Sequence, residues 1–202
     1  MENLSFICDA ISKKSGQPFT LANKSSLSGG CINQCFQLEG HDSSSFFLKQ
    51  NSKSFLPFFE AEALALEEIK NTNSVRVPEV ITFGVTDDSS FLVLEFIPEG
   101  ISNHKGQKEL GKQLANLHKI QKSFFGWKRD NCIGATPQPN PSTQDWVSFY
   151  RDSRLLHQLD LAHKKSVFFD GEDDLINNLD FFFHDYSPHP SLLHGDLWGR
   201  SE

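Results

Sequence analysis

Five short strand-like runs, split into three and two by one strong helix, set the narrowest limit on how this 202-residue chain can fold. Residues 19–27 read as a strand entering Ser28-Gly29-Gly30. Residues 31–38 alternate polar and apolar, the period of a second strand. A polar turn over 40–45 leads into Phe46-Phe47-Leu48-Lys49, which opens a third. Residues 55–70 predict a helix: the segment is rich in Ala, Leu and Glu, and its apolar residues recur at helical spacing. Pro57 sits near its start, where a missing N–H costs little. Residues 80–85 and 90–96 are two further strands around an Asp87-Asp88-Ser89 turn. A leading helix over 3–14, with Leu4, Ile7, Cys8 and Ile11 at helical spacing, stops at Gly16 and Pro18.

The second half reads as mainly helical. A helix is expected over 107–121, then a loop-like stretch over 126–142 containing Gly126, Gly134, Pro137, Pro139 and Pro141. Ser142-Thr143-Gln144-Asp145 offers an N-cap for a long helix to about residue 165, and 173–183 predicts a last helix. Pro188 and Pro190 then break the chain before an apolar stub, Leu192-Leu193, that runs into His194-Gly195-Asp196-Leu197-Trp198. Nineteen Phe stand against two Tyr and one Met. Clusters at Phe55, Phe58, Phe59 and at Phe181 to Phe183 are expected to be core. The second cluster is also placed to meet a face that further chain would occupy, and without it would stay sticky.

Composition excludes several function classes. The formal net charge is −7 and basic residues come only in isolated pairs, such as Lys13-Lys14 and Lys164-Lys165, so no nucleic-acid partner is expected. No apolar stretch approaches the roughly 20 residues that span a bilayer, so no membrane partner is expected. The start, Met1-Glu2-Asn3-Leu4, lacks the features of a secretion signal, and a cytoplasmic location is expected. Four scattered Cys (Cys8, Cys31, Cys35, Cys132) read as reduced thiols. His184, His189 and His194 recur every five residues, which is not the i, i+4 spacing of a helical zinc pair.

The chemistry-bearing positions fall in a definite order. Gly29-Gly30 between two strands lets backbone N–H groups approach a phosphate with no Cβ in the way, although most such pairs are simply tight turns. Lys49 follows an apolar strand start, where an unpaired ammonium is costly; a lysine at a strand end can also snorkel to solvent. Glu60 and Glu62, on the following helix, are both candidate partners. His194-Gly195-Asp196 looks like the catalytic loop of a kinase-like phosphotransferase, in which an Asp takes the proton of the hydroxyl being phosphorylated and an Asn five residues on holds Mg²⁺. The fifth residue after Asp196 is Ser201.

Together these stretches resemble the fructosamine kinase (ketosamine kinase) family, relatives of aminoglycoside and choline kinases. The matching pieces are Ser28-Gly29-Gly30-Cys31-Ile32-Asn33, Phe46-Phe47-Leu48-Lys49, Phe59-Glu60-Ala61-Glu62, Phe91-Leu92-Val93-Leu94-Glu95 and Leu114-Ala115-Asn116-Leu117-His118. They continue through Asp130-Asn131-Cys132-Ile133-Gly134, Pro137-Gln138-Pro139-Asn140, Trp146 and the run from Leu192 to Gly199. The resemblance implies an α+β, protein-kinase-like fold. Its small N-terminal lobe, 1–97, would carry an antiparallel five-stranded sheet and bind nucleotide. An incomplete, mainly helical lobe would follow over 98–202 and end in the catalytic loop.

The resemblance further implies ATP and Mg²⁺ as cofactors and ketosamines as substrates. These are fructosamines or ribulosamines, on glycated protein lysines or on small amines. Phosphorylation at the 3-hydroxyl makes the sugar leave, a deglycation repair. Asp196 would be the catalytic base, with Gly29, Gly30, Lys49 and Glu62 at the phosphates. Glu62 is preferred over Glu60 because it follows the family's Phe-X-Ala unit. The Glu95 carbonyl and Ile97 amide would bond adenine, although an ordinary strand end would read the same. Trp198 would stack on the sugar or simply pack. Ser201 stands where the family has its metal-binding Asn, a poorer Mg²⁺ ligand. Cys31 would be a redox handle able to link two copies by a disulfide, or a small packed residue. With no second metal-binding Asp after Ser201, the end of the chain reads as truncated. The competing class is therefore an inactive nucleotide- or partner-binding module. Within enzymes, the alternative is an aminoglycoside- or choline-kinase-like phosphotransferase.

Overall fold

The computed structural model describes residues 2–27, 32–101, 103–195 and 197. The chain divides into two compact units, Met1–Leu114 and Ala115–Glu202, with the division inside a helix.

In the first unit, helix α1 (Glu2–Ser15) precedes strands β1 (Leu21–Leu27), β2 (Gln34–Gly40) and β3 (Ser45–Asn51). A 3₁₀ turn (Lys53–Phe55) leads into helix α2 (Leu56–Lys70), and β4 (Val80–Val85) and β5 (Ser90–Glu95) complete the sheet. All pairings are antiparallel, in the order β1-β2-β3-β5-β4. The strand pattern follows from period-2 burial on both faces. Leu38, Leu48, Phe91 and Val93 point to one face and pack with Ile7 and Ile11 of α1 and with Phe19. Leu92 and Leu94 point to the other and pack with Phe59 and Ala63 of α2. The apolar stripe of α2 therefore fixes which sheet face it covers, and the residues of β3 that flank Leu48 are left facing α2.

After the sheet the structure departs from the sequence expectation in four places. Helix α3 (His104–His118), which crosses the division between units, begins and ends three residues early; the Asn103 carboxamide oxygen receives the Gly106 amide at its start. The stretch expected to be loop holds a small hairpin, β6 (Asn131–Ile133) with β7 (Thr136–Gln138), turning at Gly134, which has φ +62°. The long helix after Asp145 forms as α4 (Trp146–Tyr150) and α5 (His157–His163) joined by a π-helical segment, Arg151–Leu156. The last expected helix is interrupted: α6 (Glu172–Asn177) gives way at Asn178 to a 3₁₀ segment, Leu179–Phe183. Asp145 is the N-cap, its carboxylate receiving the Ser148 amide at 2.7 Å.

Buried Asn140 ties the second unit together. Its carboxamide donates to the Arg129 carbonyl and to Asn131 Oδ1, and accepts from Arg154 Nη2 at 2.6 Å. The Arg154 guanidinium also donates to the Pro139 carbonyl and lies 4.5 Å over the Phe149 ring. No helix among the described residues is long and apolar enough to cross a membrane.

Candidate functional site

The sheet face toward α2 carries the polar groups. Lys49 sits in β3 opposite Cys35 of β2 and Leu92 of β5, so alternation points it to the α2 side. There its Nζ donates to Glu62 Oε1 at 2.6 Å, the bond expected from the sequence. Glu62 lies next to Ala63, which packs against Leu92, so the same helix–sheet packing that buries Ala63 holds the carboxylate over the strand. Both partners are largely withdrawn from water, at 23% and 32% exposure. A lysine so placed keeps two donor hydrogens beyond the one given to Glu62 and offers a positioned positive charge.

Cys35 shares this face. Burial raises its thiol pKa; nearby Lys49 lowers it and Glu62 raises it again, and the first influence is the largest. The thiol therefore stays protonated beside the ion pair. Farther along the same face, Gln37 Nε2 donates to Ser45 Oγ at 2.9 Å, and Asn23 Nδ2 donates to Glu39 Oε2 at 2.8 Å. These residues, with Phe96 and Pro98, line an open cavity of about 480 Å³. Sequence reasoning missed Cys35, Gln37 and Glu39. The signal was present, because counting by twos from the residue opposite Lys49 lands on each of them.

At the end of β5 the Glu95 side chain has a structural task. Its carboxylate accepts from Arg76 Nη2 at 2.6 Å and from the Glu79 amide at 3.2 Å, while its own amide donates to the Glu79 carbonyl. A base-recognition role at Glu95 would thus use the backbone only. Ile97 follows just beyond the strand and is 39% exposed.

In the second unit, the stub before the candidate catalytic loop is held by a two-sided tether. Lys122 donates its amide to the Pro190 carbonyl at 2.8 Å, and Leu192 donates to the Ile120 carbonyl at 3.0 Å. Gly195 takes φ +87°, a left-handed conformation that strains any side chain with a Cβ. His194 Nδ1 is enclosed with no hydrogen-bond partner among the described residues. Asp196, Trp198 and Ser201 lie outside the described residues, as do Gly29, Gly30 and Cys31. Cys8, Cys35 and Cys132 form no disulfide with one another, and the disulfide link expected through Cys31 has no support among the described residues. Nor do these hold a group of three or more His, Cys, Asp or Glu able to bind a metal ion.

With Lys49 paired across to the helix that follows its strand, the comparison with known proteins becomes decisive. The fructosamine kinase family model matches residues 4–201. The chain belongs to the fructosamine kinase family. A protein named as a probable ketoamine kinase from a Synechocystis strain is 41% identical over 193 residues, covering 95% of this chain and 65% of the relative. A rice protein (Oryza sativa subsp. japonica) named protein-ribulosamine 3-kinase, chloroplastic, is 41% identical over 191 residues, covering 91% and 55%. A crystal structure assigned to a fructosamine-3-kinase from Haemophilus somnus 129PT aligns with a TM-score of 0.88 at 28% identity, covering 95% and 65%. The chain thus spans at most about two thirds of these relatives. The five-stranded antiparallel sheet with its flanking helices is the α+β, kinase-like fold that the fructosamine kinase resemblance implied.

Proposed function

We propose that this fructosamine kinase family chain serves ATP-dependent phosphorylation of the sugar moiety of ketosamines at the 3-hydroxyl. The acceptors are fructosamines or ribulosamines on glycated protein lysines or small amines, and the phosphorylated sugar then leaves. One observation carries the reading: the Lys49–Glu62 pair at 2.6 Å on the sheet face beside α2. A lysine aimed by a carboxylate is what a nucleotide's α- and β-phosphates need, since catalysis of phosphoryl transfer is mostly positioning plus electrostatic stabilisation.

In this reading residues 1–97 form the nucleotide-binding lobe and 98–202 the part that brings the acceptor. Gly29 and Gly30 admit phosphate oxygens to backbone N–H groups. The Glu95 carbonyl and Ile97 amide bond adenine. Asp196 accepts the proton of the 3-hydroxyl as the γ-phosphoryl group moves to that oxygen, and Trp198 lies against the sugar face. The two ammonium hydrogens that Lys49 does not give to Glu62 suit phosphate oxygens. Mg²⁺ would neutralise charge on the phosphates. The candidate metal ligand Ser201 offers a single hydroxyl, a weaker Mg²⁺ ligand than an amide oxygen. The cytoplasm is the proposed location, as befits reduced thiols.

Incubating the 202-residue chain with ATP, Mg²⁺ and a small fructosamine, and following ADP release, tests this. The expected result is acceptor-dependent ADP release that Asp196→Asn abolishes. ATP binding with no turnover would instead support a nucleotide-binding module, the alternative that Ser201 at the metal position favours.

A further inference from the structure

The end of β5 departs from ordinary strand pairing at the residue whose carbonyl the nucleotide reading gives to adenine. In an antiparallel ladder, the two residues of a hydrogen-bonded pair exchange both of their N–H···O bonds. Val80 of β4 lies opposite Leu94 of β5, so Glu79 and Glu95 are the next pair outward. Only half of their exchange is made between backbones. The Glu95 amide donates to the Glu79 carbonyl at 2.8 Å. The Glu79 amide gives its hydrogen not to the Glu95 carbonyl but to the Glu95 carboxylate, at Oε2, 3.2 Å away.

This diversion is held from the other side. Arg76 Nη2 donates to the second carboxylate oxygen, Glu95 Oε1, at 2.6 Å. Lys70 pairs with the Glu79 carboxylate at 2.9 Å, so the neighbouring acid is engaged and Arg76 is left to Glu95. Arg76 reaches the strand end from a connection that is itself folded. Thr72 Oγ1 donates to the Ile69 carbonyl at 2.6 Å and accepts from the Ser74 amide at 3.2 Å, and Asn73 between them takes φ +52°. With the Arg76 side chain 63% exposed, its ion pair contributes little to folding. What it decides is which acceptor the Glu79 amide takes. A carbonyl relieved of its ladder bond keeps acceptor capacity for another donor.

We propose that the Glu95 carboxylate and Arg76 are positioning residues for base recognition: they take up the Glu79 amide, so that the Glu95 carbonyl stays open to the 6-amino group of adenine. The inference rests on the proposed nucleotide reading, in which that carbonyl meets the base. It adds two side chains to a contact that the backbone makes. With the carboxylate removed, the Glu79 amide and the Glu95 carbonyl complete their exchange. The ladder gains a bond and the base loses an acceptor. Folding is then maintained while selectivity for the amino group falls, the opposite of what a purely structural clamp would give.

The test is isothermal titration calorimetry of the chain, with Mg²⁺ present, against ATP and against purine riboside triphosphate, which lacks only the 6-amino group. The parent should prefer ATP by about fivefold, the worth of one neutral hydrogen bond. Glu95→Ala should bring that ratio close to one, with affinity for the analogue and the urea midpoint unchanged. Arg76→Ala should lower the ratio part of the way, and should change nothing further in the Glu95→Ala background. Glu95→Gln, whose carboxamide oxygen can accept the same amide, should keep most of the preference. Should Glu95→Ala disturb folding, Arg76→Ala on the exposed side of the clamp carries the same readout. A preference that survives Glu95→Ala and Arg76→Ala, or affinity for the analogue that falls as far as affinity for ATP, would overturn this inference alone. A parent chain that shows no preference, or that binds neither triphosphate, would overturn the nucleotide reading of Glu95 together with it.

Discussion

Replacing Lys49 by Met and Glu62 by Gln, singly and together, separates a nucleotide-positioning pair from a decorative one. At 2.6 Å the bare attraction is about 1.6 kcal/mol in water and about 6 kcal/mol at an effective dielectric constant of 20. Both side chains retain some solvent, and holding them in one geometry costs entropy. The net coupling in urea unfolding should therefore be about 1 kcal/mol, the upper end for exposed pairs. ATP affinity should respond more strongly. A charge-assisted hydrogen bond is worth about 1.5–3 kcal/mol, so Lys49→Met should weaken ATP binding roughly 10- to 150-fold by isothermal titration calorimetry. Glu62→Gln should cost less, because the ammonium remains but is no longer aimed. In the Lys49→Met background Glu62→Gln should change nothing further. Additive losses in ATP affinity, or a Lys49→Met chain that binds ATP as tightly as its parent, would refute the positioning role.

Three predictions concern the frame of the second unit. Asp145→Ala should cost about 1 kcal/mol in urea unfolding at neutral pH through loss of the α4 cap. Hydrogen bonds from Ser148 hold the Asp145 carboxyl below its ordinary value, so its contribution is full above the unfolded pKa of about 3.9. That contribution fades as pH falls through the lower folded value, and the gap between parent and variant should close there. Gly126→Ala should lower stability by about 1–3 kcal/mol or more, measured the same way. Gly126 has φ +99°, and an added Cβ would run into the Pro141 carbonyl, a backbone group with little room to move. Arg154→Ala should cost about 2–3 kcal/mol by leaving Asn140 Oδ1 unsatisfied, and Arg154→Lys should recover only part of it, since lysine cannot reproduce the fork to Asn140 and Pro139. Thermal melting of the three chains checks that order.

What the sequence disclosed tracks how strongly local pattern and tertiary demand agree. The sheet and α2 were legible because the polar–apolar alternation leading to Leu38 and the helical recurrence through Phe59 and Ala63 both report burial directly. Glu62 as partner of Lys49 was legible through the family's Phe-X-Ala pattern, which chose it over Glu60. The β6–β7 hairpin was not, since two three-residue strands, one of them containing Pro137, carry too little alternation to register. The π-helical segment was hidden because hydrophobic recurrence at 3.6 survives one widened turn. The break at Asn178 was missed because Leu179 and the phenylalanines after it continue an apolar rhythm that looks helical. The polar face of Gln37 and Glu39 becomes visible only once the pairing of β2 with β3 sets Cys35 opposite Lys49.

The most direct test of the account follows the sugar on a glycated peptide. A lysine peptide carrying ribulosamine is incubated with the chain, Mg²⁺ and either ATP or a non-hydrolysable analogue, and mass spectrometry tracks the adduct. The account predicts a phosphorylated adduct that gives way to free lysine with ATP alone, and neither product when Asp196 is Asn. An adduct that persists unphosphorylated with ATP, or sugar loss that proceeds equally with the analogue, would contradict it.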